Sequence, residues 1–253
     1  RAVPALASLL ADKDLSLSSD RLISDHIRPA AVAIADQVDQ DLAALYLDIP
    51  WYSTLTSTPV LSDINAVRKV MFDNKVPLND LHFMVGGAAE VAFLNAMAAS
   101  GFVSGVQDTS LRNASMGQLF GFEMFANQNT PSHTSGVAVD STGAVDFGSG
   151  STAVYAAGVA AMHIDAITSG ATLKKGDTFS LAGHTQRYVL TADLANESSG
   201  EGDIAFAPAL KAAVDENTVI TFHISATGVA KVQNLAFHRN AFALAMAPLS
   251  TLG

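Results

Sequence analysis

Apolar positions recur along residues 22–47 at the spacing of a helix. Ile27, Ala31, Ile34, Val38, Leu42 and Leu45 are separated by four, three, four, four and three residues, which draws one stripe down a rod. Pro29 is incompatible with a helix interior, so the spacing predicts a start or a bend near Arg28. Ser18, Ser19 and Asp20 are the N-cap candidates ahead of it, and 1–20 otherwise show only the short alternation Leu15-Ser16-Leu17-Ser18. If all of 22–47 is helical, the rod is roughly 39 Å long and spans a domain. Residues 49–61, with Pro50 and Pro59, read as a connecting loop. A second helix is predicted from Ser62, as its cap, to about Asn74, with Ile64, Val67 and Met71 on one face and Val76-Pro77 as the break. Residues 81–85 read as a buried strand and 87–99 as a helix ended by Ser100-Gly101. Residues 105–119 read as polar loop, and 121–126 as a strand that turns through Asn127 to Pro131.

The pattern changes near Val137. From there to about Ile224 it predicts short strands between Gly-rich turns: 160–167, 177–181, 187–191, 204–206 and 219–224. In the last of these, Ile220, Phe222 and Ile224 share a face. Such spacing suggests a small antiparallel barrel or sandwich. It is read as an insertion into a surrounding α/β domain. Beyond it, residues 236–246 alternate as a long strand. His238, Asn240, Phe242, Leu244 and Met246 lie on one face, and Phe237, Arg239, Ala241, Ala243 and Ala245 on the other. No internal repeat is present.

Composition narrows the function classes. Of 253 residues, 49% are apolar and only 15% charged, well under the usual quarter. That balance favours a chain that buries surface against partners. The formal net charge of −10 and the scatter of 14 basic residues argue against sequence-independent nucleic-acid binding, which needs clustered Lys and Arg. Lys174-Lys175 reads as an exposed turn. Cysteine is absent, so the chain has no disulfide, no thiolate nucleophile and no Cys-ligated zinc. No apolar run reaches the length of a membrane span, and the N-terminus carries no convincing signal peptide.

Candidate chemistry is sparse. The seven histidines, His26, His82, His133, His163, His184, His223 and His238, form no local metal-binding pair. His238 reads as a strand residue bonded to backbone, although distant residues remain free to converge in space. Asp36, Asp39 and Asp41 read as a hydrated helix face, since two carboxylates on one face make a poor Mg²⁺ or Ca²⁺ site. The run from Gly148 to Thr152 lacks the Gly-Lys-Ser/Thr ending of a phosphate loop and the nucleophile elbow, and reads as a hinge. Gly86-Gly87 reads as a tight strand-to-helix turn, with anion binding at the helix N-terminus as the alternative. Trp51 and Tyr52 read either as interface anchors or as a lid on the local core. No catalytic, cofactor or metal residue is therefore assigned.

Several segments together resemble one family. Ser24-Asp25-His26-Ile27-Arg28-Pro29-Ala30-Ala31 opens the long helix. Asp73-Asn74-Lys75-Val76-Pro77 precedes a strand, and Gly117-Gln118-Leu119-Phe120-Gly121-Phe122-Glu123-Met124 leads into another. Phe237-His238-Arg239-Asn240-Ala241-Phe242-Ala243-Leu244 runs on to Pro248-Leu249. In this order they resemble the major capsid proteins of tailed phages, the HK-ninety-seven type. The run from Leu173 to Gly183, then Tyr188 to Asp193, then Ala207-Pro208-Ala209-Leu210, resembles the inserted domain of the P-twenty-two-type coat proteins. The resemblance implies an α+β fold with a long spine helix, a mixed core and a small inserted antiparallel β-barrel. It divides the chain into an arm remnant (1–20), a capsid core (21–145), an inserted β-rich domain (146–224) and a return strand (225–253). Family members carry more chain at both ends, so the ends are expected to be trimmed. The implied function is a non-enzymatic major capsid protein that self-assembles, in pentamers and hexamers, into the icosahedral shell of a double-stranded DNA phage. Scaffolding and portal proteins are the implied partners, with no specific nucleic-acid or membrane binding and no cofactor. The implied location is the virion, after assembly in the host bacterial cytoplasm. A hydrolase with convergent Asp and His residues and a β-rich virion-binding module are the alternatives.

Overall fold

The computed structural model describes residues 23–55, 58–99, 113–137, 142–147, 153–194, 200–224, 228 and 230–244. Its elements follow in chain order. A wide helical turn, Ile23–Ile27, leads into α1 (Arg28–Ala43) and a tighter turn, Ala44–Asp48. Helix α2 (Leu61–Asp73), strand β1 (Leu81–Val85), helix α3 (Gly87–Ala99) and strands β2 (Gln118–Leu119), β3 (Phe122–Ala126) and β4 (Ser132–Thr134) come next. Then come β5 (Thr142–Val145), β6 (Val154–Tyr155), β7 (Ala161–Asp165), β8 (Thr178–Leu181), β9 (Arg187–Leu190), β10 (Gly202–Ala207), β11 (Val214–Asp215) and β12 (Val219–Phe222). Strands β13 (Ala230–Val232) and β14 (Leu235–His238) complete the order. Among the described residues no helix is long and apolar enough to cross a membrane.

The chain divides into two units, residues 1–42 and 43–253. In the first, Pro29 is the second residue of α1, where its missing N–H removes no helical bond. The helical stretch is therefore not one uniform rod. A 16-residue α-helix, about 24 Å long, follows a wider turn and gives way to a tighter one. Ile27, Val32 and Ile34 are exposed.

The second unit holds a four-stranded sheet in the order β14-β1-β3-β2. Strand β1 pairs antiparallel with β14 and parallel with β3. It is covered on both faces, which is why its sequence reads as a continuous apolar run. Leu81, Phe83 and Val85 join Phe122 and Met124 beneath Ile64 and Met71 of α2 and Ala89, Phe93 and Met97 of α3. On the opposite face Met84 and Leu235 meet Ala43, with Tyr46 and Phe237 packed against them. Helix α2 starts one residue ahead of Ser62, and its N-terminus is held by Asp63. The Asp63 carboxylate accepts the Val60 amide at 3.0 Å, while the Asp63 amide donates to the Val60 carbonyl, the reciprocal half of a capping box.

Two expectations need correction. The stretch read as loop up to residue 119 ends in β2, which pairs with β3. The late strand does not run from 236 to 246 but ends at His238. Its partner strand turns away at Asp80, whose φ is +50°, so after the Arg239 amide reaches the Asp80 carbonyl no ladder remains. The Ala241 amide then donates to the His238 carbonyl and closes a turn. That turn carries Phe242 back onto Phe237, their rings 5.0 Å apart, although strict alternation separated them by face. Residues 245–253 lie outside the described residues, as do the arm at 1–20 and the run from Gly148 to Thr152.

Between β3 and β14 the chain builds a closed six-stranded barrel, β10-β7-β5-β12-β8-β9. Its core is separate from that of the sheet and is built on Phe179, which stacks on Tyr188 at 5.3 Å and meets Phe206 edge-on at 5.5 Å. Met162, Ile164, Ile204, Phe206, Ile220 and Phe222 alternate inward along their strands. The barrel hangs on a two-stranded stalk in which β4 pairs with β13, Thr134 opposite Ala230.

Candidate functional site

The seven histidines, dispersed in sequence, acquire distinct partners. His26 is exposed on the turn before α1. His184 lies 3.3 Å from the Tyr188 hydroxyl. His238 accepts the Asn240 amide at 3.2 Å through Nδ1, the backbone-bonded role expected from sequence. The remaining four form the polar centres of the molecule.

His133 sits in a buried chain. Its Nδ1 is 3.2 Å from the Tyr46 hydroxyl and its Nε2 is 3.0 Å from Oδ1 of Asp177. The other oxygen of Asp177 accepts the backbone amides of Gly136 at 2.9 Å and Lys174 at 2.7 Å. With its side chain 1% exposed, this carboxylate is fully satisfied by donors, as a buried charge must be. Burial, then the Asp177 charge, pushes the Tyr46 hydroxyl above its ordinary range. A Tyr-His-Asp chain resembles a proton relay, but here it ties the turn after α1, the stalk and the barrel together.

His223 lies on the barrel, 3.1 Å from the Ser180 hydroxyl. Tyr52 covers it at 5.7 Å between ring centres, and the Arg187 guanidinium lies 4.6 Å above the Tyr52 ring. Tyr52 thus packs on the barrel surface while staying partly exposed at 37%, so both readings for the Trp51-Tyr52 loop stay open. Burial, followed by the Arg187 charge, pulls the His223 imidazole below its ordinary value. Because the folded value lies below the unfolded one, stability is full when His223 is neutral. It is lost as pH falls from the usual histidine range through the depressed value. The melting temperature is expected to drop on acidification from neutrality, and His223→Gln to remove that part of the drop; thermal melts across pH measure both.

His82 lines a cleft of about 260 Å³ with Asp80, Gln118, Glu123 and Arg239. Its Nδ1 is 3.3 Å from Glu123, whose side chain is 72% exposed. The cleft is smaller than the usual enclosed ligand site of about 300–1,000 Å³. Among the described residues its lining has no Ser, Thr or Cys.

His163 stands on the outer face of the barrel among carboxylates. Its Nδ1 is 2.8 Å from Asp203, and its Nε2 is 3.7 Å from Asp146 and 4.0 Å from Glu201. No sequence motif announced this group, since its members come from three strands.

The other candidates resolve more simply. Gln40 bonds Asp36 and Gln37 bonds Asp41, each at 2.9 Å, along the exposed face of α1. The Gly86 amide donates to Asn234 at 2.8 Å, and a Cβ there would lie 2.8 Å from Val232, so a tight turn accounts for this glycine. Lys174 and the Lys175 amide both reach Asp193 at the surface turn.

No protein-family model matches this chain, and no curated protein matches it. Among solved structures, one from Mycobacterium phage Che8 is similar, with 16% identity and a TM-score of 0.39 over 85% of this chain and 64% of that one. The chain thus spans less than two thirds of that neighbour's length, and at so low a score its own elements must carry the argument.

Proposed function

We propose that this chain is the major capsid protein of a tailed double-stranded DNA phage, a building block rather than a catalyst. In this reading copies associate as pentamers and hexamers into an icosahedral shell, with scaffolding and portal proteins as further partners and the virion as its location. The observation that carries the reading is topological. A closed β-barrel is spliced into a mixed sheet between β3 and β14, both of which pair with the same strand, β1. An inserted β-barrel is also what the ordered resemblance of the segments implies, which supports the reading.

Uncovered apolar surface supports it. Helix α3 contains one charged residue, Glu90, and buries Ala89, Phe93 and Met97. Its other side presents Ala88, Val91, Asn95 and Ala98 to solvent. A helix that is apolar all round normally has a partner on each side. Phe72 of α2 and Phe120 of the β2–β3 turn are also exposed. In a shell such surfaces meet neighbouring copies, and many weak contacts acting together hold it closed. Static light scattering of the purified protein tests the reading: particles in the megadalton range are expected, and a persistent monomer would remove it. The hydrolase reading gains little from the His82 cleft, which lacks a hydroxyl or thiol nucleophile and leaves Glu123 in water.

A further inference from the structure

Three neighbouring barrel strands bring metal-ligating side chains into one row. In β7, Met162 and Ile164 point into the core, so His163 and Asp165 face outward. The register sets Asp203 of β10 directly opposite His163. On the other side, Val145 of β5 pairs with Ile164, and the Asp146 amide donates to the His163 carbonyl at 3.1 Å. Asp146 therefore flanks the same imidazole. Glu201, two residues before Asp203, joins the outer face from the end of β10.

We propose that Asp146, His163 and Glu201 bind a divalent transition-metal ion of the zinc class, pinning β5, β7 and β10 together on the barrel surface. One ligand atom from each of the three lies within 4.8 Å of the others. The His163 Nε2 separations of 3.7 Å and 4.0 Å must close by about 0.3–0.6 Å, with the two carboxylates drawing together as well, to reach the roughly 3.4 Å between ligands of a tetrahedral zinc with bonds near 2.1 Å. Water completes the fourth position. One imidazole beside two carboxylates favours such an ion over Mg²⁺ or Ca²⁺, which take all-oxygen sets.

Two further observations point to a cation. Asp203 holds Nδ1 of His163 at 2.8 Å, the carboxylate–histidine arrangement that orients an imidazole towards a metal. Beside the group, Oδ1 of Asp165 is buried and has no hydrogen-bond partner. Like charges crowded across adjacent strands destabilise a sheet, and a cation relieves them. The proposal stands or falls independently of the shell reading.

Isothermal titration calorimetry of the intact chain with zinc chloride at neutral pH tests it. Saturable binding of one ion per chain is expected. His163→Ala should weaken it at least 100-fold, and Asp203→Asn, which keeps all three ligands, about tenfold. Zinc should also raise the melting temperature of the wild type and not that of His163→Ala. If His163→Ala does not fold by circular dichroism, Glu201→Gln at the exposed end of the site replaces it, with at least a tenfold loss expected. No saturation up to millimolar zinc, or wild-type affinity in the folded ligand variant, would overturn the proposal.

Discussion

Replacing residues 135–229 with an Asn-Gly turn is expected to leave a folded sheet domain and, under the proposed capsid role, to prevent correct shells from forming. The structure provides the seam. Thr134 and Ala230 are paired across β4 and β13, so a two-residue turn closes the stalk into a hairpin. The sheet core, from Ile64 to Met124, and the barrel core, from Val145 to Phe222, share no residue. Excision therefore removes one core without opening the other. Its local cost falls on His133, which loses Asp177, and on Tyr52, which loses His223 and Arg187. Far-UV circular dichroism should retain the helical signal and thermal melting should stay cooperative, while electron microscopy shows aberrant or absent particles. Normal shells would show that the barrel has no part in assembly. A molten remainder would show that the barrel is needed for the sheet to fold.

Asp177→Ala is expected to be strongly destabilising, at about 3–5 kcal/mol. The carboxylate is buried and accepts from two backbone amides and one imidazole. Removing it leaves three donors without this acceptor, the buried Gly136 amide among them, at about 1–3 kcal/mol for a donor left unsatisfied, and breaking a buried hydrogen-bonded charge typically costs a similar total. The backbone cannot relax to compensate. A Cβ on Gly136 would collide with the Thr172 carbonyl, so the chain is closely packed where the Gly136 amide meets Asp177. Asp177→Asn keeps one acceptor oxygen and is expected to cost about 1–2 kcal/mol. Urea denaturation measures both; a loss below about 0.5 kcal/mol for the alanine variant would show that Asp177 is not the clamp described here.

The parts of the fold legible in the sequence are those set by local pattern. Residues 81–85 and 87–99 were readable as strand and helix to the residue, because one is a buried apolar run and the other follows a glycine turn. Five of the six barrel strands announce themselves between turns, while β5 (Thr142–Val145) is not named from the sequence; Phe179, Tyr188, Phe206 and Phe222 then close the core. What sequence alone could not supply depends on distant partners. Nothing local to 236–246 signals that its strand must stop at His238, because the cause is the turn at Asp80. His133 and Asp177 are 44 residues apart, and His163 meets acids from the strands on both sides. A search for short metal motifs passes over such groups. Strand register, once known, makes the His163 row readable, since Asp203 is its direct cross-strand partner.

The central claim is that this protein tiles copies of itself around a closed interior. An electron micrograph of the purified full-length protein, produced together with its scaffolding partner where assembly requires one, tests it most directly. The account predicts hollow, closed particles of uniform diameter; a field of dispersed single subunits would contradict it.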